Sequence, residues 1–419
     1  MGKAFHFKKH HFFCDDIDIV NFASQRRTPF YLYSARELKS NLSDVNEIGR
    51  PYSFTACYAL KANYNPGLLK IIKEYNFGAD VVSGGELFFA LKAGFTADKI
   101  VFAGVGKTEE ELELAVKTGI TSVNVESESE MKKLDEVALR LKKKVSVAIR
   151  INPDIDVDTH EYISTGKRIN KFGIEEKKAY QLYKDIKNNP WLLPEGVHVH
   201  IGSQIKDKEP FERTAQFLQR FIAKLEKEGI HIKNIDLGGG IGINYENDFS
   251  DPLAPSTYIG QILPYYLKAF GKTGYHFTVE LGRSIIASAG ILISKVLYRK
   301  QSADKTFIII DAAMNNLIRP SLYQAYHHII PLEQNDRPQE VVDVVGPVCE
   351  TGDFLAKNRT LPRLEEGEYI AVVGAGAYGQ SLASNYNLRP VIAEYLVEGK
   401  TIQTIHKEQK IEDLFNQFI

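Results

Sequence analysis

Short apolar segments alternate with amphipathic segments between Phe54 and Arg283. Eight apolar segments have the length of β-strands, and they read FTACYAL, ADVVS, KIVFAG, TSVNVES, VSVAIRIN, GVHVHIG, IKNIDLGGG and HFTVELGR. The segments between them, such as PGLLKIIKEYN and FERTAQFLQRFIAKLEKEG, repeat their apolar residues with helical spacing. Eight strands with crossover helices are what a (β/α)₈ barrel requires, so the pattern predicts an α/β fold with a barrel over residues 35–282.

The ends of the predicted helices carry capping signals. Thr108 and Glu111 have the spacing of a capping box at the start of one helix. Four glycines stand where a helix is expected to end, and they are Gly78, Gly94, Gly119 and Gly229. These signals support the predicted alternation of helices and strands.

The pattern changes after Arg283. The runs TFIIIDA, EVVDVVGPVC, EYIAVVGAG and RPVIAEYLVEGKTIQTIH have the composition of β-strands and few helical stretches between them. They predict a second, β-rich domain over residues 283–419. The N-terminal segment 1–34, which ends in FYLYS, precedes the first barrel strand and is expected to pair with this β-rich domain.

Composition favours a small-molecule partner. The chain has 419 residues, of which 44% are hydrophobic and 25% are charged, and its formal net charge is -1. This balance is ordinary for a soluble enzyme and gives no electrostatic reason to expect nucleic acid.

The cysteines and the apolar stretches indicate the cellular compartment in which the protein is expected. Cys14, Cys57 and Cys349 are far apart, so neither a disulfide framework nor a cysteine-based metal site is indicated, and a reducing compartment fits. The most apolar stretch, IIASAGILISKVLY, is too short for a bilayer and contains Lys295, so no membrane span is expected. We expect a cytoplasmic protein without a metal.

Two glycine motifs resemble nucleotide-binding loops but lack part of the pattern. The run VVGAGAYG, residues 372–379, fits G-x-G-x-x-G, yet the following QSLASNYNLRP contains Pro390 and no apolar stripe for the required helix. The run GVGKT, residues 104–108, lacks the earlier glycine of a P-loop, because Val101 occupies that position. A nucleotide cofactor is therefore the weaker alternative.

Several polar residues follow the predicted barrel strands. Lys61 ends the first strand and is either a surface group or an amine suited to Schiff-base chemistry. The other candidates at strand ends are Asp80, Arg150, His200 and Ser203. Each alone could be a cap, an ion pair or a polar rim residue, but the strand ends of a barrel all meet at one mouth.

The last two barrel strands end in DLGGG and VELGRS. Consecutive glycines at Gly238, Gly239 and Gly240 let backbone N–H groups approach a phosphate, although a tight turn is the alternative. Pyridoxal phosphate needs a lysine, an anion site and an acid facing its pyridine nitrogen. Lys61, the glycines and Glu280 supply these three parts, so the sequence predicts this cofactor.

The motifs together resemble the fold-type III pyridoxal phosphate-dependent decarboxylases, and among them the diaminopimelate decarboxylases. The resemblance covers nearly the whole chain and is carried by YALKAN, NPDIDVDTHEYISTGKRINKFGI, HVHIGSQ, DLGGG, ELGRS, NNLIRPSLYQAYH, GPVCETGDFLA and GAGAYG. It implies a barrel with a second β-rich domain, as in alanine racemase, and decarboxylation of meso-2,6-diaminopimelate to L-lysine. Leu281 stands where the family usually has proline, and Thr351 stands where it usually has serine.

The resemblance also implies roles for individual residues. Lys61 carries the cofactor, His200 stacks on its ring and Glu280 bonds its pyridine nitrogen. The remaining cofactor-binding residues are expected to be Asp80, Arg150, Ser203, Gly238, Gly239, Gly240, Gly282, Arg283 and Tyr378. Cys349 and Glu350 resemble the pair that reaches the active site of a neighbouring subunit, which implies a homodimer and makes Cys349 a candidate proton donor. By composition alone, Cys349 reads as a buried small residue.

The substrate's second amino-acid group calls for a cation and an anion at its far end. Arg319 and Glu350 would supply these, with Arg283, Tyr323 and Tyr378 nearby by resemblance. A structural ion pair is the alternative for Arg319.

Decarboxylation of ornithine, arginine or another amino acid is the main alternative function. Three other functions are weaker alternatives. An alanine racemase usually places an arginine against the pyridine nitrogen, and a non-catalytic carrier of the cofactor would need no β-rich domain. A dehydrogenase would be indicated by GAGAYG alone.

Overall fold

The computed structural model describes residues 4–155, 171–246, 257–270 and 274–418. Most of the motif between Asn152 and Ile174, namely residues 156–170, lies outside the described residues. The chain forms two compact units. The β-rich unit comprises Met1–Asn41, Asn244–Ser256 and Ile285–Ile419, and the barrel unit comprises Leu42–Ile243 and Thr257–Ser284.

The helices and strands follow one another in three stretches. The first contains β1 (Phe5–Lys8), β2 (His11–Cys14), β3 (Ile17–Asp18), α1 (Ile19–Ser24), β4 (Phe30–Ser34) and α2 (Ala35–Gly49). The second contains β5 (Phe54–Ala59), α3 (Pro66–Glu74), β6 (Gly78–Val81), α4 (Gly84–Ala93), β7 (Ile100–Phe102), α5 (Glu109–Thr118), β8 (Ser122–Val125), α6 (Glu128–Leu141), β9 (Val145–Asn152), β10 (Ile174–Glu175), α7 (Glu176–Ile186), β11 (Leu192–His198), α8 (Glu209–Lys227), β12 (Asn234–Asp236), α9 (Thr257–Ala269) and β13 (His276–Leu281). The third contains α10 (Arg283–Ile286), β14 (Gly290–Ser302), β15 (Lys305–Ile310), α11 (Arg319–Tyr323), β16 (Ile329–Pro331), β17 (Gln339–Val345), β18 (Phe354–Pro362), β19 (Tyr369–Val372), β20 (Ala393–Glu398), β21 (Thr401–His406) and α12 (Ile411–Phe415). None of the helices in the described ranges has both the length and the apolar character that a bilayer crossing requires.

The barrel unit contains a closed sheet of eight parallel strands. The order is β5-β6-β7-β8-β9-β11-β12-β13, and β13 pairs with β5 to close the ring. Each strand overlaps one of the eight apolar segments of the sequence, so the predicted barrel is confirmed. The short β10 is an addition that pairs with β9.

Strand register brings polar residues to one side of the sheet. His198 pairs with Arg150 on one neighbouring strand and with Asp236 on the other. Asp236 pairs with Thr278, two residues before Glu280. Because successive residues of a strand alternate between the two faces, these side chains all point to the same face.

The helix ends agree with the sequence in most places. Thr108 and Glu111 form the predicted capping box, and Gly94 and Gly119 end their helices in the left-handed conformation. Gly78 differs, because α3 ends at Glu74 and Gly78 is the first residue of β6. A side chain there would put its Cβ 2.2 Å from the carbonyl oxygen of Lys99, so the glycine serves strand packing.

The β-rich unit is built on a sheet with the path β18-β17-β15-β14-β4-β20-β21; off this path, β19 pairs with β14, and β16 pairs with β19. The N-terminal strand β4 pairs antiparallel with β14 and parallel with β20. Its side chains Phe30 and Leu32 lie in an apolar core with Ile291 and Ile293. A separate three-stranded sheet joins β1, β2 and β3.

Candidate active site

Lys61 and Asp80 form an ion pair at the ends of neighbouring barrel strands. Lys61 lies in a short 3₁₀ turn directly after β5, and its Nζ is 2.7 Å from Oδ2 of Asp80. The Asp80 side chain is fully buried, whereas that of Lys61 is 37% exposed. Burial, with the charge of Glu280, raises the pKa of Asp80. Within the described ranges, Oδ1 of Asp80 is a buried oxygen without a hydrogen-bond partner.

Glu280, near the end of β13, is buried among polar groups from three other strands. Its Oε1 lies 3.4 Å from Nε2 of His198 and accepts a 3.4 Å hydrogen bond from Nδ2 of Asn124. The same Asn124 amide donates to Oδ2 of Asp236 at 3.1 Å. Burial alone would raise the pKa of Glu280, but His198 and then Lys61 lower it well below its ordinary value. Glu280 is therefore a carboxylate at neutral pH.

The pKa of Asp236 is shifted in the opposite direction to that of Glu280. Burial, and next the charge of Glu280, raises its pKa well above the ordinary range. Burial would lower the pKa of His198, but Glu280 and Asp236 outweigh it and raise that pKa. The cluster thus contains Glu280, which is kept ionised, and Asp236, which resists ionisation. His198 is favoured in its charged form.

His200 is neutral at physiological pH. Burial, followed by the charge of Arg150, lowers the pKa of His200 to about 3. The backbone N–H of Gly239 donates to its Nδ1 at 3.1 Å, so the ring proton resides on Nε2. The result is an uncharged aromatic ring next to Glu280, whose Oε2 is 3.8 Å from Nδ1.

The glycines after β12 permit a close approach of backbone segments. A Cβ at Gly239 would lie 1.9 Å from the carbonyl oxygen of Glu280. The N–H of Gly238 donates to Oδ1 of Asp236 at 3.0 Å, and Gly238 has a positive φ of 62°. Two of the three consecutive N–H groups therefore bond within the protein, and close packing accounts for Gly239.

A hydroxyl and a guanidinium meet beside these glycines. Nη2 of Arg283, at the start of α10, donates to Oγ of Ser203 at 3.0 Å, and Arg283 is buried. Gly282 precedes it, after the buried Leu281 that pairs with Tyr58 in the sheet. The pair offers one charged and one neutral donor suited to a phosphate.

Arg150 has a structural partner that the sequence did not indicate. Its Nη1 lies 2.7 Å from Oε1 of Glu126, which also accepts the backbone N–H of Gly104, while Oε2 accepts that of Gly173. Glu126, Asn124, His198 and Asp236 were not among the predicted site residues. The available signal was a polar residue at an inward position of a predicted strand, as in TSVNVES and GVHVHIG.

The lysine of GVGKT is part of the fold. The side chain of Lys107 is 0% exposed, and its Nζ donates to the carbonyl oxygens of Gly104 and Asn124 and to Oε1 of Glu130. All three ammonium hydrogens thus have a protein acceptor.

In the β-rich unit, Arg319 lies at the start of α11 and is 5% exposed. Its Nη1 is 2.5 Å from Nε2 of the fully buried His327. The Tyr245 ring covers the guanidinium, with 4.5 Å between Cζ and the ring centroid. Tyr323, at the other end of this helix, is partly buried.

The GPVCETGD segment is a loop held by Asp353. One oxygen of this buried carboxylate accepts the N–H of Val348 and the other accepts that of Met314, both at 2.7 Å. Burial raises the pKa of Asp353. Cys349 and Glu350 are exposed on the loop, where the hydroxyl of Tyr386 donates to Glu350.

GAGAYG follows β19 and forms a turn whose glycines pack against the protein. A Cβ at Gly376 would lie 2.1 Å from the carbonyl oxygen of Ile286. Gly374 has a φ of +68°, and a Cβ added there would lie 3.1 Å from the Tyr245 ring. Tyr378 itself has a positive φ of 56°. The turn is followed by a three-residue 3₁₀ turn, Gln380–Leu382, instead of the long helix that a dinucleotide-binding motif requires.

Comparisons with known proteins identify the family. The pyridoxal binding domain of the pyridoxal-dependent decarboxylases matches residues 36–287. Diaminopimelate decarboxylase from Aquifex aeolicus is 43% identical over 400 residues, or 96% of this chain and 94% of that protein. The one from Vibrio cholerae is 42% identical over 405 residues, or 96% and 95%.

Solved structures give the same answer. The crystal structure of diaminopimelate decarboxylase from Helicobacter pylori complexed with L-lysine has a TM-score of 0.88 and 41% identity, and the match covers 95% of this chain and 98% of that one. The enzyme from M. jannaschii in co-complex with L-lysine has a TM-score of 0.92 and 35% identity, covering 99% and 98%. The predicted fold class and cofactor are thereby confirmed. The chain belongs to the family of pyridoxal-dependent decarboxylases that includes these diaminopimelate decarboxylases.

Proposed function

We propose that the chain decarboxylates meso-2,6-diaminopimelate to L-lysine and carbon dioxide, the last step of lysine biosynthesis, with pyridoxal 5′-phosphate as cofactor. The observation that carries the proposal is the set of groups at the carboxyl ends of the barrel strands, where a lysine amine, a carboxylate kept ionised and a buried arginine occur together. The whole-length similarity to diaminopimelate decarboxylases supports the choice of substrate.

The barrel residues fit the cofactor. Lys61 would hold it covalently through Nζ, and the ionised Glu280 would face the pyridine nitrogen and keep it protonated. His200, as a neutral ring, would lie against the cofactor ring, and Ser203 with Arg283 would bind the phosphate. When bound, the cofactor draws electrons from the bond to the departing carboxylate.

The other barrel residues would support this arrangement. Asp80 would orient the Lys61 amine through their 2.7 Å contact. The charge of Arg150 would help to keep His200 neutral, since it lowers the pKa of that ring. The remaining proposed cofactor contacts are Gly238, Gly239, Gly240, Gly282 and Tyr378.

Recognition of the far end of the substrate is assigned to the β-rich unit. Arg319 would bind the carboxylate that stays in the product, and Glu350 would bind the adjacent ammonium group. Arg283, Tyr323 and Tyr378 are proposed as further substrate contacts. Burial of Arg319 supports this role. A substrate with only an ammonium group at its far end would give the buried guanidinium no carboxylate to bind.

We also infer a cytoplasmic homodimer whose active sites are shared between subunits. Cys349 and Glu350 are exposed on a loop that Asp353 holds in place, as expected of residues that reach a neighbouring chain. Cys349 is the proposed proton donor to the carbon that loses carbon dioxide. The three cysteines are all free thiols, which suits a reducing compartment.

Product analysis tests the proposal. The purified protein with pyridoxal phosphate is incubated in parallel with meso-diaminopimelate, ornithine, arginine and L-alanine, and carbon dioxide, the amine products and D-alanine are measured. We expect L-lysine from diaminopimelate and no product from the others. Putrescine or agmatine would transfer the assignment to another decarboxylase, and D-alanine would transfer it to a racemase.

A further inference from the structure

His327 links Arg319 to the backbone of the β-rich unit. Its Nε2 lies 2.5 Å from Nη1 of Arg319, and its Nδ1 lies 2.8 Å from the carbonyl oxygen of Val373. Both His327 and Arg319 are buried, with 0% and 5% of their surface exposed.

The two contacts determine the protonation of the ring. A guanidinium can only donate and a carbonyl oxygen can only accept a hydrogen bond. Nε2 of His327 therefore accepts from Arg319, and Nδ1 carries the proton that is donated to Val373. His327 is thus neutral, and its orientation is set by one donor and one acceptor on opposite sides of the ring.

Tyr245 completes the enclosure of this pair. Its ring meets that of His327 edge-to-face, with 5.0 Å between centroids, and lies 4.5 Å from Cζ of Arg319. Gly374, the residue after Val373, leaves room for the Tyr245 ring. One edge and one face of the guanidinium are therefore fixed by neighbouring groups.

We propose that His327 is a positioning residue that fixes the Arg319 guanidinium and thereby sets the preference for substrates that carry a second carboxylate. The inference rests on the proposed function, in which Arg319 binds that carboxylate. A fixed guanidinium presents its donors in one plane, and bidentate recognition of a carboxylate requires that plane to be correct. Without the acceptor at Nε2, the long arginine side chain regains rotamer freedom and its selectivity falls.

Two substitutions separate positioning from packing. His327→Leu removes the acceptor, whereas in His327→Gln the side-chain oxygen can still accept from Arg319. His328→Leu is the matched control, because His328 is the next residue and its Nδ1 is 3.4 Å from the hydroxyl of Tyr326. The readouts are KM and kcat for meso-diaminopimelate and the affinities of L-lysine and 1,5-diaminopentane, which has no carboxylate.

We expect His327→Leu to weaken L-lysine binding and raise KM by about tenfold, with kcat changed by less than about threefold. Binding of 1,5-diaminopentane should be unchanged, and His327→Gln and His328→Leu should stay close to the parent protein. Equal losses for both ligands in His327→Leu, or an unchanged ligand preference, would overturn the proposal.

A double-substitution cycle separates this inference from the proposed function. In the Arg319→Ala background, His327→Leu should add little further loss of L-lysine affinity. If Arg319→Ala itself leaves the L-lysine preference intact, the substrate role of Arg319 fails first. The thermal unfolding temperatures of the same four proteins then still decide whether His327 and Arg319 are coupled, and additive changes would contradict positioning.

Discussion

The barrel unit and the β-rich unit hold their polar groups by different means. In the barrel, Asp80, Asn124 and Glu280 occupy regular strand positions, so pairing with neighbouring strands fixes where each side chain points. In the β-rich unit, Glu350 lies in a loop whose shape depends on a few hydrogen bonds from Asp353. Strand register can change only by moving a whole strand, whereas a loop can change at one residue. We therefore expect the barrel to hold the cofactor and the loop with Cys349 and Glu350 to supply groups to a neighbouring subunit.

Removal of the barrel amine is expected to have the largest effect. Lys61→Ala should lower turnover by at least about 10³-fold, because its amine is the group proposed to hold the cofactor covalently. Turnover and the visible absorbance of the bound cofactor would both be measured. Borohydride reduction of the parent protein followed by peptide mass analysis should place the label on Lys61. A label on Lys107, whose ammonium group is fully bonded within the fold, would contradict the assignment.

If Glu350 acts in the active site of the neighbouring subunit, a loop variant and a barrel variant should together form one intact active site in a mixed dimer. Glu350→Gln and Lys61→Ala should each be inactive alone. Equal mixing with subunit exchange should restore about a quarter of the parent activity, since half of the dimers are mixed and each has one intact site. Exchange is verified with differently tagged chains. No recovery despite exchange would show that Glu350 acts within its own chain.

The barrel interior should also make stability depend on pH. The pKa of His200 falls from 6.5 to about 3 in the folded protein, so the unfolded chain binds a proton between these values that the folded chain does not. His200 therefore contributes stability that is fully present above pH 6.5 and is lost as the pH falls toward 3. The free energy of unfolding of the cofactor-free protein should fall less steeply over this interval in His200→Phe. Parallel profiles would show that the ring accepts a proton while folded.

Much of the barrel can be predicted from the sequence, because its polar groups occupy regular strand positions. Alternating patterns locate all eight strands, and residues at or just after a strand's carboxyl end must lie at the mouth, as Glu280 and Lys61 do. His198 and Asp236 were missed because their partners come from other strands, Glu280 for His198 and Asn124 for Asp236. Their contacts depend on strand register, which the pattern of one segment does not encode.

The β-rich unit was harder to predict at the level of contacts. The segment after GAGAYG has no helical pattern, and a three-residue 3₁₀ turn follows the motif in the structure. Nothing in the motif indicates that Gly374 makes room for Tyr245. Likewise, His327 stands eight residues from Arg319, and its bond to Val373 joins segments 46 residues apart. Such contacts between distant loops follow only from the folded chain.

The smallest expected effect tests whether the GAGAYG turn supports Arg319. Gly374→Ala combines a φ of +68° with a Cβ only 3.1 Å from the Tyr245 ring, so it should cost about 1–3 kcal/mol of unfolding free energy and displace that ring. Gly367→Ala is the matched control, because Gly367 has a φ of +90° but no atom within 4 Å of the added Cβ. Both variants should therefore lose stability through backbone strain, measured by denaturant unfolding. Only Gly374→Ala should also weaken L-lysine binding, since Tyr245 lies against Arg319. Equal effects of the two variants on L-lysine would mean that the turn contributes strain alone, and that Arg319 keeps its orientation without the Tyr245 contact.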